Sequence, residues 1–317
     1  MNKGKLVISL DFELVWGVFD HITLSDKVTY FDNTRNVLPK MLACFEKYKM
    51  EVTWATVGML FNENWEEWMT HVPEQKPTYS NLNLDAYAYG INHQKSGLDR
   101  FFFAPELIRA IQQTPGQELA SHTYSHYYCL EEGQTKEQFE QDLDLVIKMA
   151  KKAKTSMQSL VFPRNQWNQA YLESCLQSGL TQVRSNPAVW FWNNPNQASL
   201  VTKLFRTGDA YLPLSSMVYG TEHVKTTTVT AQPASRFLRP HHRFSIANTL
   251  RLQRIKNEMT IAAQQDKVYH LWWHPHNFGD YPEASMQALT EIALLYQVLN
   301  EQYGMQSVSM ANLPLQL

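Results

Sequence analysis

Two acids interrupt the first apolar run of this chain: KLVISLDFEL, residues 5–14, places Asp11 and Glu13 where a core strand should continue. A buried carboxylate is costly unless a cation, a metal or a set of hydrogen bonds compensates it. If the strand persists through residue 13, the two side chains face the same side, roughly 6–7 Å apart along the strand. Such a pair can hold a metal with one carboxylate and take a proton with the other. A solvated strand end carrying an ordinary acid pair fits the same letters.

Three further places collect unusual polar residues. In HTYSH, residues 122–126, His122 and His126 are separated by three residues and can bring both imidazoles to one ion. Two His and one carboxylate leave a coordination position open, as a catalytic zinc requires. In FPRNQW, residues 162–167, Arg164 follows a predicted buried strand. A permanent cation near Asp11 would keep that carboxylate ionised and fix its orientation, although a plain surface arginine fits too. Asn165 and Gln166 add hydrogen-bonding groups at the same place. In HLWWHPHNFG, residues 270–279, His274 and His276 are each a candidate acid, base or ligand, whereas His270 reads as a neutral core histidine. HHR, residues 241–243, reads as loop or as substrate contact.

The elements that must position these groups alternate. KLVISLDF, EVTWATVGML, QELASHTYSH, SLVFP, LTQVRS, KVYHLWW and MQSVSM read as strands. Asn33 or Thr34 is expected to cap a helix through RNVLPKMLACFEKYKM. PELIRAIQQ, TKEQFEQDLDLVIKMAKKAKT and NQAYLESCLQSG read as helices, as do residues near 245–265 and 284–302. Strand and helix alternate at least five times, so an α/β fold with a parallel sheet or barrel is predicted. All four polar stations fall at strand ends, where such folds build active sites. Residues 62–104 and 186–240 are too long for plain connections and read as insertions walling a site within one domain, residues 1–317.

Twenty-eight basic against thirty acidic side chains argue against nucleic acid or an anionic membrane as the main partner. Nine Trp, fifteen Tyr and fifteen Phe favour a ligand that aromatic rings can stack on, such as a carbohydrate. Cys44, Cys129 and Cys175 are widely spaced and form no C-x-x-C pair, so reduced thiols and no Cys-based metal site are expected. The N-terminus resembles a strand more than a signal peptide, and no run approaches the length of a transmembrane helix. A soluble, cytoplasmic protein without a transmembrane segment is the expectation; nothing bears on its oligomeric state.

In this order the four stations resemble the polysaccharide deacetylase family, the NodB-homology enzymes of the carbohydrate esterase family 4 type. HTYSH matches that family's H-[S/T]-x-x-H metal motif, with Thr123 in the hydroxyl position. The family's T-F-D-D appears as SLDFE, with a phenylalanine between the acids. The likeness implies Asp11 as catalytic base and Glu13 as metal ligand beside His122 and His126. The arginine motif R-x-P-Y is altered: Arg164 follows Pro163 and no tyrosine comes after it. A pairing of Arg164 with Asp11 is still implied, with the oxyanion donor unassigned. The last motif, L-x-H, appears as WWH, implying His274 as general acid with Trp272 at the leucine position and His276 as a rival. Asn165, Trp273 and His276 are the expected substrate-binding groups.

The fold implied is a distorted (β/α) barrel. The reaction implied is metal-dependent hydrolysis of an N-acyl group, acetyl or formyl, on an aminosugar or polysaccharide precursor. One divalent ion is expected, zinc by default, with Co2+, Ni2+ or Mn2+ also fitting the ligand set. Without an export signal, a nucleotide-linked or lipid-linked aminosugar is the expected substrate. An amidohydrolase acting on a small non-sugar amide, or a catalytically silent relative binding glycan or metal, are the alternatives.

Overall fold

The computed structural model describes residues 3–187, 189–192, 199–212, 217–221 and 228–313. Among the described residues nine strands form one parallel sheet: β1 Lys5–Phe12, β2 Val52–Thr56, β3 Gln117–Ser121, β4 Ser159–Val161, β5 Gln182–Ser185, β6 Thr230–Pro233, β7 Arg236–Phe237, β8 Val268–Trp273 and β9 Gln306–Val308. The strand order is β6-β5-β4-β3-β2-β1-β8-β7, with β9 paired to the start of β1. The described helices are α1 Val28–Lys47, α2 Trp65–Thr70, α3 Ala86–His93, α4 Pro105–Gln113, α5 Lys136–Lys152, α6 Leu172–Gln177, α7 Leu200–Gly208, α8 Ser245–Gln264 and α9 Pro282–Tyr303.

The two edges of the sheet belong to one stretch of chain. Ala234 N donates to Ser185 O of β5, and the next residue's N, on Ser235, donates to His270 O of β8. Residues 230–237 therefore pair first with one edge and then with the other, and the sheet curls into the expected distorted barrel. This stretch lies inside the expected insertion 186–240, so that reading is corrected: the segment's last residues belong to the sheet. TAQP and RF are short and polar, and carry none of the apolar alternation that marks a strand. Residues 193–198, 213–216 and 222–227 of the same segment lie outside the described residues.

Alternation along β1 separates two layers. Leu6, Ile8, Leu10 and Phe12 are fully buried in the main core, whereas Val7 joins Ala55, Val161, Val268, Met310 and Leu313 in a second, small apolar cluster. Above that plug the interior turns polar: Ser9 Oγ lies 2.9 Å from His270 Nε2 and accepts from the Arg184 guanidinium at 3.0 Å. Asp11 is next on the same face, and Phe12 points away from it onto Trp54. The apolar stripe of α1 is as expected, with Val37, Leu38, Met41, Leu42 and Phe45 buried. The start of that helix is corrected from 33 or 34 to Val28. Neither expected cap residue serves as one: Asn33 Nδ2 donates to Gly279 O, and Thr34 Oγ1 donates to Tyr30 O one turn back.

The segment 62–104 folds down as an aromatic wall. Trp68 of α2 stacks on Trp16 at 6.2 Å between ring centroids and on Tyr87 of α3 at 6.1 Å. Trp16 itself follows Glu13 in a short 3-10 turn, Leu14–Gly17, so this wall buttresses the turn that ends β1.

Candidate active site

Glu13 stands at the centre of the site. One carboxylate oxygen, Oε2, lies 3.2 Å from His122 Nε2 and 3.1 Å from His126 Nε2. The other, Oε1, lies 3.7 Å from both His274 Nε2 and His276 Nδ1. All of these side chains but His274 are essentially buried, His274 keeping 23 % of its side-chain surface exposed. Gly17 makes room for the carboxylate: a Cβ there would collide with the Glu13 Cδ and both oxygens. Gly17→Ala is therefore expected to displace Glu13, weakening metal affinity tenfold or more in a chelator-competition titration while the circular dichroism spectrum is retained.

These atoms suit a cation. His122 Nδ1 donates to Val161 O at 2.8 Å, so in the neutral ring Nε2 presents a lone pair to the Glu13 carboxylate. Two acceptors held so close repel one another unless something positive lies between them. The same Nε2 has no hydrogen-bond partner although it is fully buried. Burial also pulls His126 down to about 4 and His276 down to about 3, so both imidazoles are neutral near pH 7, as ligands must be. Glu13, His122 and His126 offer ligand atoms within 4.8 Å of one another, as do Glu13, His274 and His276.

The His122–His126 loop is held in place by a buried acid. Asp142, on α5, accepts from Tyr124 N at 2.5 Å, from Ser125 N at 3.0 Å and from the Ser125 hydroxyl. Burial pushes this carboxyl up to about 6, against those hydrogen bonds. Thr123 adds a second clasp, its Oγ1 accepting from Tyr127 N at 2.7 Å. Among the described residues, five of the eight non-glycine residues with positive φ (Leu14, Thr123, His126, Arg164 and Asn165) belong to the loops of this site. Strain of that kind persists only where surrounding contacts over-determine it. Asp142→Asn puts an amide donor against backbone donors and is expected to weaken metal affinity about 10–100-fold, read in the same titration.

The partner of Asp11 is not the arginine expected. Arg184, from β5, grips it with two bonds, Nη1 to Oδ1 at 2.6 Å and Nη2 to Oδ2 at 2.7 Å. Asn165 Oδ1 accepts from the same guanidinium at 2.8 Å, so Asn165 reaches the site by holding Arg184. Arg164 instead pairs with Asp20 at 2.6 Å and lies over the Tyr128 ring. The reason is geometric: Arg184 sits on an inward-facing strand position, while Arg164 lies beyond its strand, in a turn with φ of 54°. Burial raises the Asp11 carboxyl, but Arg184 outweighs it and holds the group below the usual aspartate value. His274 Nε2 lies 3.6 Å from Asp11 Oδ2.

Trp273 is a second correction. It faces outward from β8 into the core, fully buried and stacked on Phe278 at 6.1 Å, so it cannot reach a ligand. Its neighbour Trp272 faces the interior, under the Arg184 guanidinium and against Phe237. His276 is stacked parallel on His274 and is 5 % exposed, so of the two only His274 is open to an incoming molecule. His270 is a buried neutral histidine, as expected, its pKa lowered by burial to about 3.

A family model described as polysaccharide deacetylase matches residues 21–183. His122, His126 and Arg164 fall within that stretch; Asp11, Glu13, Arg184 and His274 fall outside it. No curated protein is detectably similar in sequence. Among solved structures, a protein of Mycobacterium smegmatis assigned as a polysaccharide deacetylase is similar with a TM-score of 0.60 at 12% identity, covering 98% of this chain and 89% of that one. One from Pseudomonas aeruginosa PAO1, with the same assignment, gives 0.56 at 11% over 97% and 88%. The α-amylase AmyC of Thermotoga maritima gives 0.56 at 12% over 99% and 76%. At such identities the likeness is one of fold.

Proposed function

The chain belongs to the polysaccharide deacetylase family, and we propose that it is a hydrolase that removes an N-acyl group, acetyl or formyl, from an aminosugar or polysaccharide precursor with the help of one divalent ion. The observation that carries the proposal is the pairing of roles across 3.6 Å: a carboxylate locked by Arg184 faces an accessible histidine, beside a carboxylate that meets two neutral imidazoles. Glu13, His122 and His126 would hold the ion, with zinc the default and Co2+, Ni2+ or Mn2+ also suited. When bound, the ion supplies a Lewis acid for the acyl carbonyl and the attacking water.

The chain's own groups divide the rest. Asp11 takes a proton from the water as its oxygen bonds to the acyl carbon. His274 gives a proton to the nitrogen as the carbon–nitrogen bond breaks, so that acetate or formate and a free amine leave. Arg184 keeps Asp11 ionised and fixes which lone pair faces the water. Asn165, through Arg184, sets the position of that pair. The substrate class we favour is a nucleotide-linked or lipid-linked aminosugar.

Chelation is the direct test. Dialysis against a chelator is expected to abolish acetate release from N-acetylated sugars and to lower the melting temperature, and added zinc or cobalt to restore both. Activity that survives complete metal removal, measured by elemental analysis, sinks the proposal. Stoichiometric metal with no hydrolysis across a panel of N-acyl sugars favours a silent binding relative.

A further inference from the structure

We propose that α7 and the start of α8 form a surface that seats the protein on an anionic lipid bilayer. A surface helix ordinarily buries its apolar side and shows its polar side to water; α7, LVTKLFRTG, does the reverse. Thr202 is buried, as is Asp209, which ends the helix and is engaged by Arg236 and Arg254. Leu200, Val201, Leu204 and Phe205, which the helical repeat groups on another side, are all exposed, Leu200 by 85 % and Leu204 by 72 %. Trp190, also exposed, lies against Phe205 with ring centroids 5.1 Å apart and extends the patch. A second exposed group, Phe244, Ile246 and Leu250, stands at the head of α8. The two helices are tied together: Arg239 donates to the Arg206 carbonyl of α7 at 2.9 Å, and Arg251 of α8 donates to the Arg239 carbonyl.

Exposed apolar surface of this kind marks a docking face, and charge selects the occupant. Residues 186–257 hold nine Lys and Arg against two Asp and Glu, in a chain whose net charge is −2. The near-balance of the whole chain thus conceals a strong local excess of positive charge. Lys203 and Arg243 are exposed beside the apolar side chains, Arg243 lying 4.8 Å from the centre of the Phe244 ring. Cations beside exposed Leu, Phe and Trp are the pattern of a helix lying in a lipid interface, where buried apolar area and attraction to anionic headgroups add. Nine residues are too few to cross a bilayer, so α7 would lie in its surface. A second copy of this chain fits less well, because a two-fold contact would set these cations against themselves.

The inner side of α7 connects this face to the chemistry. Arg206, Asp209 and Ala210 line the cavity that reaches Trp272, whose ring lies 5.7 Å from that of His274. The surface does not depend on the deacetylase reading. One consequence does rest on it: the substrate class narrows to a lipid-linked aminosugar, its lipid held in the bilayer while the sugar enters the cavity.

The test is co-sedimentation of the full-length metal-loaded protein with vesicles, of phosphatidylcholine alone or mixed three to one with phosphatidylglycerol. Wild type is expected to bind the mixed vesicles at least tenfold more tightly than the neutral ones. Leu200→Asp, Leu204→Asp and Arg243→Glu alter exposed positions, and each is verified as folded by circular dichroism. Each is expected to lose tenfold or more in affinity for the mixed vesicles. No binding to the mixed vesicles, equal binding to both kinds, or equal affinity in wild type and the two leucine variants overturns the proposal. Self-association without lipid that Leu204→Asp abolishes, together with no vesicle binding, assigns the face to a second copy and overturns it as well. Vesicle binding without hydrolysis of any N-acyl sugar keeps the surface and discards the deacetylase. Hydrolysis without vesicle binding does the opposite.

Discussion

Asp11→Asn is expected to lower kcat about 10²–10⁴-fold, the range a positioned general base supplies, while the protein still binds one divalent ion per chain. The amide keeps the shape of the carboxylate and one acceptor for Arg184, so the strand and the metal ligands stay in place, but it cannot accept the proton of a water. The distinction matters because Asp11 and Glu13 are only two residues apart, and the proposed roles differ entirely: one moves a proton, the other holds an ion. Elemental analysis beside steady-state acetate release separates them. Loss of metal together with activity in Asp11→Asn would merge the two roles and undo the division. Glu13→Gln should show the opposite pattern, with metal and activity lost together.

Arg184→Met is expected to be the most destabilising change at the site. Breaking a buried ion pair from one side leaves the other charge unpaired and costs about 3–5 kcal/mol, and Arg184 and Asp11 have side chains exposed by 0 % and 3 %. The loss is compounded by Ser9 and Asn165, whose oxygens accept from the same guanidinium. Arg164→Met is the control. Its partner Asp20 is near the surface and Arg164 itself is one-third exposed, so about 1 kcal/mol or less is expected from losing that pair. Chemical denaturation of the two variants side by side checks the ranking. Similar losses for both would mean that the Asp11–Arg184 contact contributes far less than its burial indicates.

Arg184 was within reach of the sequence. LTQVRS reads as a strand, and an arginine inside a buried strand needs a partner as much as an aspartate does; Asp11 was the acid left without one. Arg164 stands after a strand, in a turn, whereas the cation that meets Asp11 stands within one. Strand parity would also have separated the tryptophans. Val268, His270 and Trp272 share the inward face of β8, which puts Trp273 in the core. The motifs that were legible, LDFEL, HTYSH and WWHPH, combine a strong apolar strand with polar residues that have no business in a core. The closing stretch TAQPASRF was not legible, because its identity as a strand depends on partners far along the chain, β5 on one side and β8 on the other. The start of α1 departs from the local pattern for a related reason: Asn33 uses its side chain in a tertiary contact with Gly279, which no local pattern reveals.

The ring of strands also sets when the site can exist. β1 is made first, yet it is flanked by β2 and β8, and β8 leaves the ribosome more than two hundred residues later. At about 5–20 residues per second, Asp11 waits on the order of tens of seconds for His274. During that interval one edge of β1 has no neighbour, and the arginine that will neutralise Asp11 arrives well before the histidine that faces it. A nascent chain interrupted anywhere before β8 thus carries the two acids without a closed ring and without His274, the proton donor proposed above.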